Sequence, residues 1–180
     1  MYLNNIQESV KTGNWNNHKS SVDAIALFQQ KYGKDILPSD FKIKSEVLYN
    51  NLNIFQRISN LYGLIGFVLL ILQFIGVFFP NLNLKGLFKI AFLLIFACFI
   101  LHVFGLGLRW YVSGHAPWSN GYESMIYIGF ATTLAGLVFY RKTPIALSAT
   151  AVLTWIILHV AHLSWMDPEI TNLVPVLRSY

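Results

Sequence analysis

Between Arg57 and Lys85 there is no charged residue, and Leu61 to Phe79 is almost wholly apolar before Pro80-Asn81 ends the run. At about 1.5 Å per residue, such a run crosses roughly 30 Å of hydrocarbon as a helix. Three further runs of the same kind follow. Lys85 and Lys89 bracket the start of the second and Arg109 its end. The third ends at Arg141-Lys142, and Thr143-Pro144 opens the fourth. Thr143 is placed as an N-cap, with Pro144 at the first helical position, where its missing N–H is harmless. The expectation is an all-α polytopic membrane protein with four transmembrane helices at about 60–79, 87–108, 122–140 and 144–163. A short polar helical segment, 1–57, precedes this membrane domain of 58–180, which ends in a tail, 164–180, with two prolines.

Composition agrees, at 55% hydrophobic and 12% charged, which does not suit a soluble globular domain. The net charge of +5 is dispersed rather than gathered into a nucleic-acid surface. Cys98 is the single cysteine, so there is no internal disulfide, no C-x-x-C and no covalent haem motif. Met1 to Val10 lacks the apolar core of a signal peptide. The first third reads as short helices over about 5–11, 17–32 and a stretch through Val47 and Leu48, with Gly33 suited to a helix C-terminus. The plain reading of this part is a helical hairpin without a site of its own, with His18 a solvated residue.

Positive charge on short loops sets orientation. Lys85 and Lys89, and then Arg141 and Lys142, lie on the connections expected in the cytoplasm. The N-terminal segment, loop 109–121 and the tail are then extracytoplasmic, in a multi-pass protein of the cytoplasmic (inner) membrane. The loop carries most of the chemistry: Arg-Trp-Tyr-Val-Ser-Gly-His-Ala-Pro-Trp-Ser-Asn-Gly-Tyr-Glu over 109–123. Gly114 and Pro117 break regular structure around His115. Asn120 with Glu123 reads as an N-cap and its capping-box partner. Trp110, Tyr111, Trp118 and Tyr122 suit the aromatic belt of a bilayer interface.

Histidine is unusual in apolar spans, and an ionisable group there is a functional candidate. His102, His115, His159 and His162 all fall toward the outer side. His102 shares a helical face with Ile95, Cys98 and Arg109, and His159 and His162 share one with Ser148, Val152 and Trp155. Imidazole is the common axial ligand of haem iron. The four histidines with Trp118 could form an apolar haem platform, with Arg109 and Arg178 meeting propionates. Each histidine is also explained as a hydrogen-bonded packing residue, Cys98 as a small apolar filler and Glu123 as a cap. Spacing does not separate haem from quinone or a metal ion. No zinc-type cluster and no nucleophile–base pair is present, so neither a catalytic nor a metal-ligand residue is assigned.

The 109–124 stretch, with its arginine-aromatic pair, Ser-Gly-His-x-Pro and Ser-Asn-x-Tyr-Glu-Ser, resembles the early loop of the CcsA (ResC) type of cytochrome c biogenesis protein. Ala161-His162-Leu163-Ser164-Trp165-Met166-Asp167-Pro168-Glu169-Ile170, with Leu173, Pro175-Val176-Leu177 and Ser179-Tyr180, resembles the stretch before that family's next helix. The resemblance covers about 101–180, and spans one and two match in position only. The first third looks like the end of the extracytoplasmic part of a fused CcsB–CcsA protein. The resemblance implies a System II role: delivery of haem b across the membrane and its attachment to apocytochrome c, as in a holocytochrome c synthase (haem lyase). Partners it implies are membrane lipid, a CcsB (ResB) type half, further CcsA helices, apocytochrome c and a thiol-reducing protein. The family's Trp-rich WWD segment and its established ligand histidines would follow Tyr180, so the expectation is an internal or truncated piece. Outside that family, a quinone- or proton-handling subunit using Glu123, or a scaffold that holds a partner, would fit the same residues.

Overall fold

In the computed structural model, residues 2–33, 37–163, 166 and 168–170 are described, the side chains of 2, 3, 5 and 16–18 excepted. His18, Trp165, Arg178 and most of the tail therefore lie outside the described residues or side chains. Among the described residues there are seven helices and no strand. The chain divides into two compact units, Met1–Ile43 and Lys44–Tyr180.

The first unit is built on α1 (Tyr2–Thr12) and α2 (Asn16–Tyr32), which pack on each other. Gly13 turns the chain between them at φ +71°, a conformation that glycine adopts without a Cβ penalty. The Thr12 hydroxyl donates to the Glu8 carbonyl at 2.8 Å and so satisfies one acceptor of the last turn. At the end of α2, the Gly33 N–H donates to the Gln29 carbonyl at 2.7 Å.

The second unit contains the membrane bundle. α3 (Asp40–Leu52) leads into it, followed by α4 (Ile54–Phe78), α5 (Lys85–Ser113), α6 (Gly121–Phe139) and α7 (Pro144–Ala161). Asn53 joins α3 to α4 in the left-handed region at φ 41°, which asparagine tolerates better than most residues. Four stretches are long and apolar enough to cross a membrane: Asp40–Phe78, which contains α4, and then α5, α6 and α7. In hydrocarbon every backbone N–H and C=O must be satisfied within the chain, which is why these runs are helical. At the α-helical rise, α5 is about 43 Å long and α7 about 27 Å. The longer helix thus exceeds the roughly 30 Å core and reaches into the interface. This is how Arg109, four residues before the end of α5, comes to lie near the water boundary.

α7 is held between α4 and α6, while α5 packs mainly on α4. Lipid gives no hydrophobic drive for helices to associate, so close approach and hydrogen bonds must do it. The glycines of α4 show this. A Cβ on Gly63 would lie 2.7 Å from the Trp155 ring, and one on Gly66 would lie 3.0 Å from the Val152 backbone nitrogen. Gly76, farther along α4, faces only Leu84 at an ordinary 3.4 Å. Two contacts of this kind were not legible. Gly136 on α6 receives the Thr150 hydroxyl, and Gly105 on α5 receives the Phe55 ring, 2.9 Å from where a Cβ would sit. Thr133 and Thr154 hydrogen-bond across α6 and α7 at 2.9 Å, and both reach the Gly129 carbonyl. Thr143 makes no side-chain cap bond; Pro144 alone marks that helix start.

Gly63→Ala is expected to destabilise the bundle by about 1–3 kcal/mol, the usual cost of overpacking. Sodium dodecyl sulfate unfolding followed by circular dichroism measures it. Adding Trp155→Ala should recover part of the loss. Gly66→Ala should be rescued less by Val152→Ala, because the Val152 backbone nitrogen at 3.0 Å and the Ala151 Cβ at 3.1 Å would remain in the way.

Candidate functional site

The buried stripe of α5 runs Ala91, Ile95, Cys98, His102, Gly105, Arg109 and Val112, the face read from the sequence. Its two polar members define two sites. At the C-terminal end of α5, the Arg109 side chain is fully buried. Its Nε donates to Glu123 Oε1 at 2.9 Å, Nη1 to the Tyr49 hydroxyl at 3.1 Å and to the Pro168 carbonyl at 2.7 Å, and Nη2 to the Glu169 carbonyl at 3.0 Å. Four of the five guanidinium N–H groups are thereby used. The guanidinium carbon also lies 5.0 Å from the Tyr122 ring centroid and 5.9 Å from that of Tyr49, within cation–π range. Arg109 thus ties α3, α5, α6 and the chain after α7 together, and a propionate would have to compete with partners already in place. Tyr122, grouped from sequence with the interfacial belt, is 4% exposed and forms part of this cluster.

Glu123 does more than cap. The Asn120 side chain accepts from the Glu123 N–H at 2.8 Å, as an N-cap should. The reciprocal bond goes one residue further back than a capping box requires. Oε2 accepts from the Ser119 N–H at 2.7 Å, while Oε1 takes Arg109. One carboxylate therefore fixes both the loop and the end of α5.

That loop carries His115. α5 stops at Gly114, which at φ +76° closes the helix with an N–H to the Trp110 carbonyl at 2.9 Å. The Ser113 hydroxyl donates to the His115 carbonyl at 2.9 Å. His115 Nδ1 lies 3.1 Å from the Ala116 carbonyl and 3.0 Å from the Ser119 hydroxyl. A carbonyl can only accept, so in the Ala116 contact Nδ1 is the donor. Trp110, Tyr111 and Trp118 are 58%, 48% and 63% exposed, as expected of a belt. Trp118 packs edge-on against Tyr127, with centroids 5.8 Å apart.

The other histidines are distributed rather than gathered. His102 is fully buried, with Nε2 3.0 Å from the Ile126 carbonyl and its ring caged by Phe55, Tyr62 and Phe130. Its Nδ1 and the nearby Tyr62 hydroxyl are buried without a hydrogen-bond partner among the described residues. His162 Nδ1 is 2.7 Å from the Leu158 carbonyl, and its ring stands edge-on to Tyr122 at 5.6 Å. Phe55 contacts both His102 and Tyr122, so an aromatic chain links the two histidines. His159, read from sequence on one face with Trp155, is exposed beside that ring. A pocket of about 320 Å³ opens between α3, α4, α6 and the chain after α7, with Tyr49, Asn53, Gln56, Tyr122, His162 and Glu169 in its wall. Among the described residues no group of three or more His, Cys, Asp and Glu could hold a metal ion.

Tyr49 and the Pro168 and Glu169 carbonyls escape sequence reading, because they lie about 60 residues from Arg109. Glu123 had a signal. It is the sole acidic residue between Glu46 and Asp167, and an arginine in an apolar helix needs a carboxylate.

The fold and site define a multi-pass helical membrane protein whose histidine loop between α5 and α6 is locked by a buried ion pair. No protein-family model matches the chain. It is 44% identical over 160 residues to Protein NrfI of Wolinella succinogenes, a match covering 89% of this chain and 18% of that protein. It is 34% identical over 131 residues to Cytochrome c biogenesis protein CcsA of Synechococcus, covering 69% and 42% of the two chains. With the CcsA protein of Prochlorococcus marinus the identity is 41% over 78 residues, covering 41% and 24%. The chain belongs to the CcsA type of cytochrome c biogenesis protein. It spans less than half the length of these relatives.

Removing one member of the buried pair leaves an uncompensated charge or acceptor, typically at a cost of about 3–5 kcal/mol. Glu123→Leu and Arg109→Leu should each sharply reduce the yield of folded protein in detergent, and the double variant should recover much of it. Arg109→Leu should also speed hydrogen exchange after α7, at Met166 to Ile170.

Proposed function

We propose that this chain is the early membrane part of a System II machine that delivers haem b to the outer face of the cytoplasmic membrane for attachment to apocytochrome c. Membership of the CcsA type supports the reaction class, and the His115 loop is the observation that carries the site. The N-terminal segment, the 109–121 loop and the tail are then extracytoplasmic. The partners are a CcsB-type half, the further helices of a CcsA-type protein, apocytochrome c and a thiol-reducing protein. Alone, this chain is not assigned the synthase activity.

Haem, when bound, supplies the redox-active iron and the macrocycle that is transferred. The donors present fit it at two positions. His115 and His162 each have Nδ1 against a backbone carbonyl, the arrangement in which an axial imidazole commonly coordinates through its other nitrogen. A second hydrogen bond fixes the ring plane of His115, to Ser119, whose own N–H is held by Glu123. Loop position therefore comes with rigidity, as binding groups require. Trp118 offers an exposed flat apolar face on the same loop. His102 has the opposite arrangement, with Nε2 against a carbonyl and Nδ1 enclosed, so its role in this reading is to set the bundle interior. Arg109 positions the loop through Glu123 rather than meeting a propionate. His159, on an exposed face, is a weaker candidate.

The test is to co-express the chain with its downstream helices and a CcsB-type partner in a host lacking its own cytochrome c synthesis system. Reduced-minus-oxidised spectra of the membranes and haem-stained c-type cytochromes are read. His115→Ala should lower both by about tenfold or more, on the scale of losing a supported ligand, and added imidazole should restore part of the spectrum. Wild-type membranes without a haem band, or a His115→Ala variant that matches wild type, would overturn the reading.

A further inference from the structure

The opposite end of the bundle carries a second site, independent of the haem reading. A groove of about 400 Å³ lies where α4 ends, α5 begins and α7 begins, with Gln73, Val77, Lys85, Phe88 and Ile145 in its wall. A smaller cavity of about 70 Å³ continues it along α4 to Leu70, sharing Gln73, Val77 and Ile145. Leu70 is seven residues from Val77, so the pair reaches about 10 Å deeper into the hydrocarbon. The walls are apolar along this whole length except at the mouth and at Gln73.

Charge is concentrated at the mouth. Lys85 lines it, Lys89 follows one helical turn later, and Arg141 and Lys142 lie on the connection that leads to Ile145. All four are exposed. No acidic residue lies on either connection, because Glu123 alone falls between Glu46 and Asp167, and it is at the other end of α6. Partway down, the Gln73 amide donates to the Pro144 carbonyl at 3.0 Å and its oxygen accepts from the Ser148 hydroxyl at 2.7 Å. One amide N–H remains for a further acceptor.

We propose that this groove is a binding site for one anionic phospholipid of the bilayer. The phosphate sits among Lys85 and Lys89, a glycerol ester carbonyl is met by Gln73, and one acyl chain runs past Val77 to Leu70. Cationic mouths between transmembrane helices are suited to anionic head groups. An uncharged lipid would leave the four cations uncompensated, and a soluble anion would leave the apolar length of the groove unfilled.

The chain is reconstituted into nanodiscs of equal parts phosphatidylcholine and phosphatidylglycerol, then released into mild detergent. Retained lipid is counted by native mass spectrometry. Phosphatidylglycerol should be enriched over phosphatidylcholine, and each of Lys85→Gln and Lys89→Gln should lower that enrichment by about fivefold. Val77→Trp, at an exposed position, should block retention with every lysine intact, and Lys85→Arg should preserve it. No enrichment in the wild-type chain overturns the proposal. Loss with the lysine variants but not with Val77→Trp also overturns it, since general surface attraction would then suffice.

Discussion

A guanidinium removed from water organises the end of the bundle where α5 meets α6. Desolvating a charge costs several kcal/mol unless geometry and hydrogen bonds compensate. At Arg109 the compensation comes from four groups on three separate pieces of chain: Tyr49 on α3, Glu123 on α6, and the carbonyls of Pro168 and Glu169 after α7. None can be withdrawn without leaving donors unsatisfied. The arginine therefore makes the loop, the helix ends and the start of the tail depend on one another, although they are far apart in sequence. Through Glu123 it also fixes the Ser119 backbone and so the setting of His115.

The contacts that α7 makes rest on a different principle. Gly63 and Gly66 on α4 and Gly136 on α6 let α7 approach until its side chains meet neighbouring backbone. Thr133 and Thr154 add a hydrogen bond across the same contact. Beside this contact lie the His102 ring and the Tyr62 hydroxyl, with Phe55 and Phe130 against the His102 ring.

The four spans were readable because uncharged runs of this length allow few alternatives. The loop was readable in its punctuation: Gly114 ends one helix and Asn120 starts the next, as their residue types suggest. The second job of Glu123 was hidden, since local patterns describe neighbours and Arg109 is fourteen residues away. Helical spacing placed His102 and Arg109 on one face correctly, but it could not say which face of α7 turns outward. His159 consequently seemed as deep as His102, and Tyr122 seemed interfacial, until packing distinguished them. Gly136 and Gly105 gave no signal, because a lone glycine in an apolar helix does not announce what it touches.

The central position of α7 has a consequence for biosynthesis. It is the last of the four spans to leave the ribosome, yet both α4 and α6 are shaped to receive it. Until it inserts, the Gln73 amide and the Thr133 hydroxyl have none of their α7 partners, and the glycine faces stand open to lipid. A nascent three-span intermediate therefore differs from the four-span bundle in these open faces and unmet hydrogen bonds.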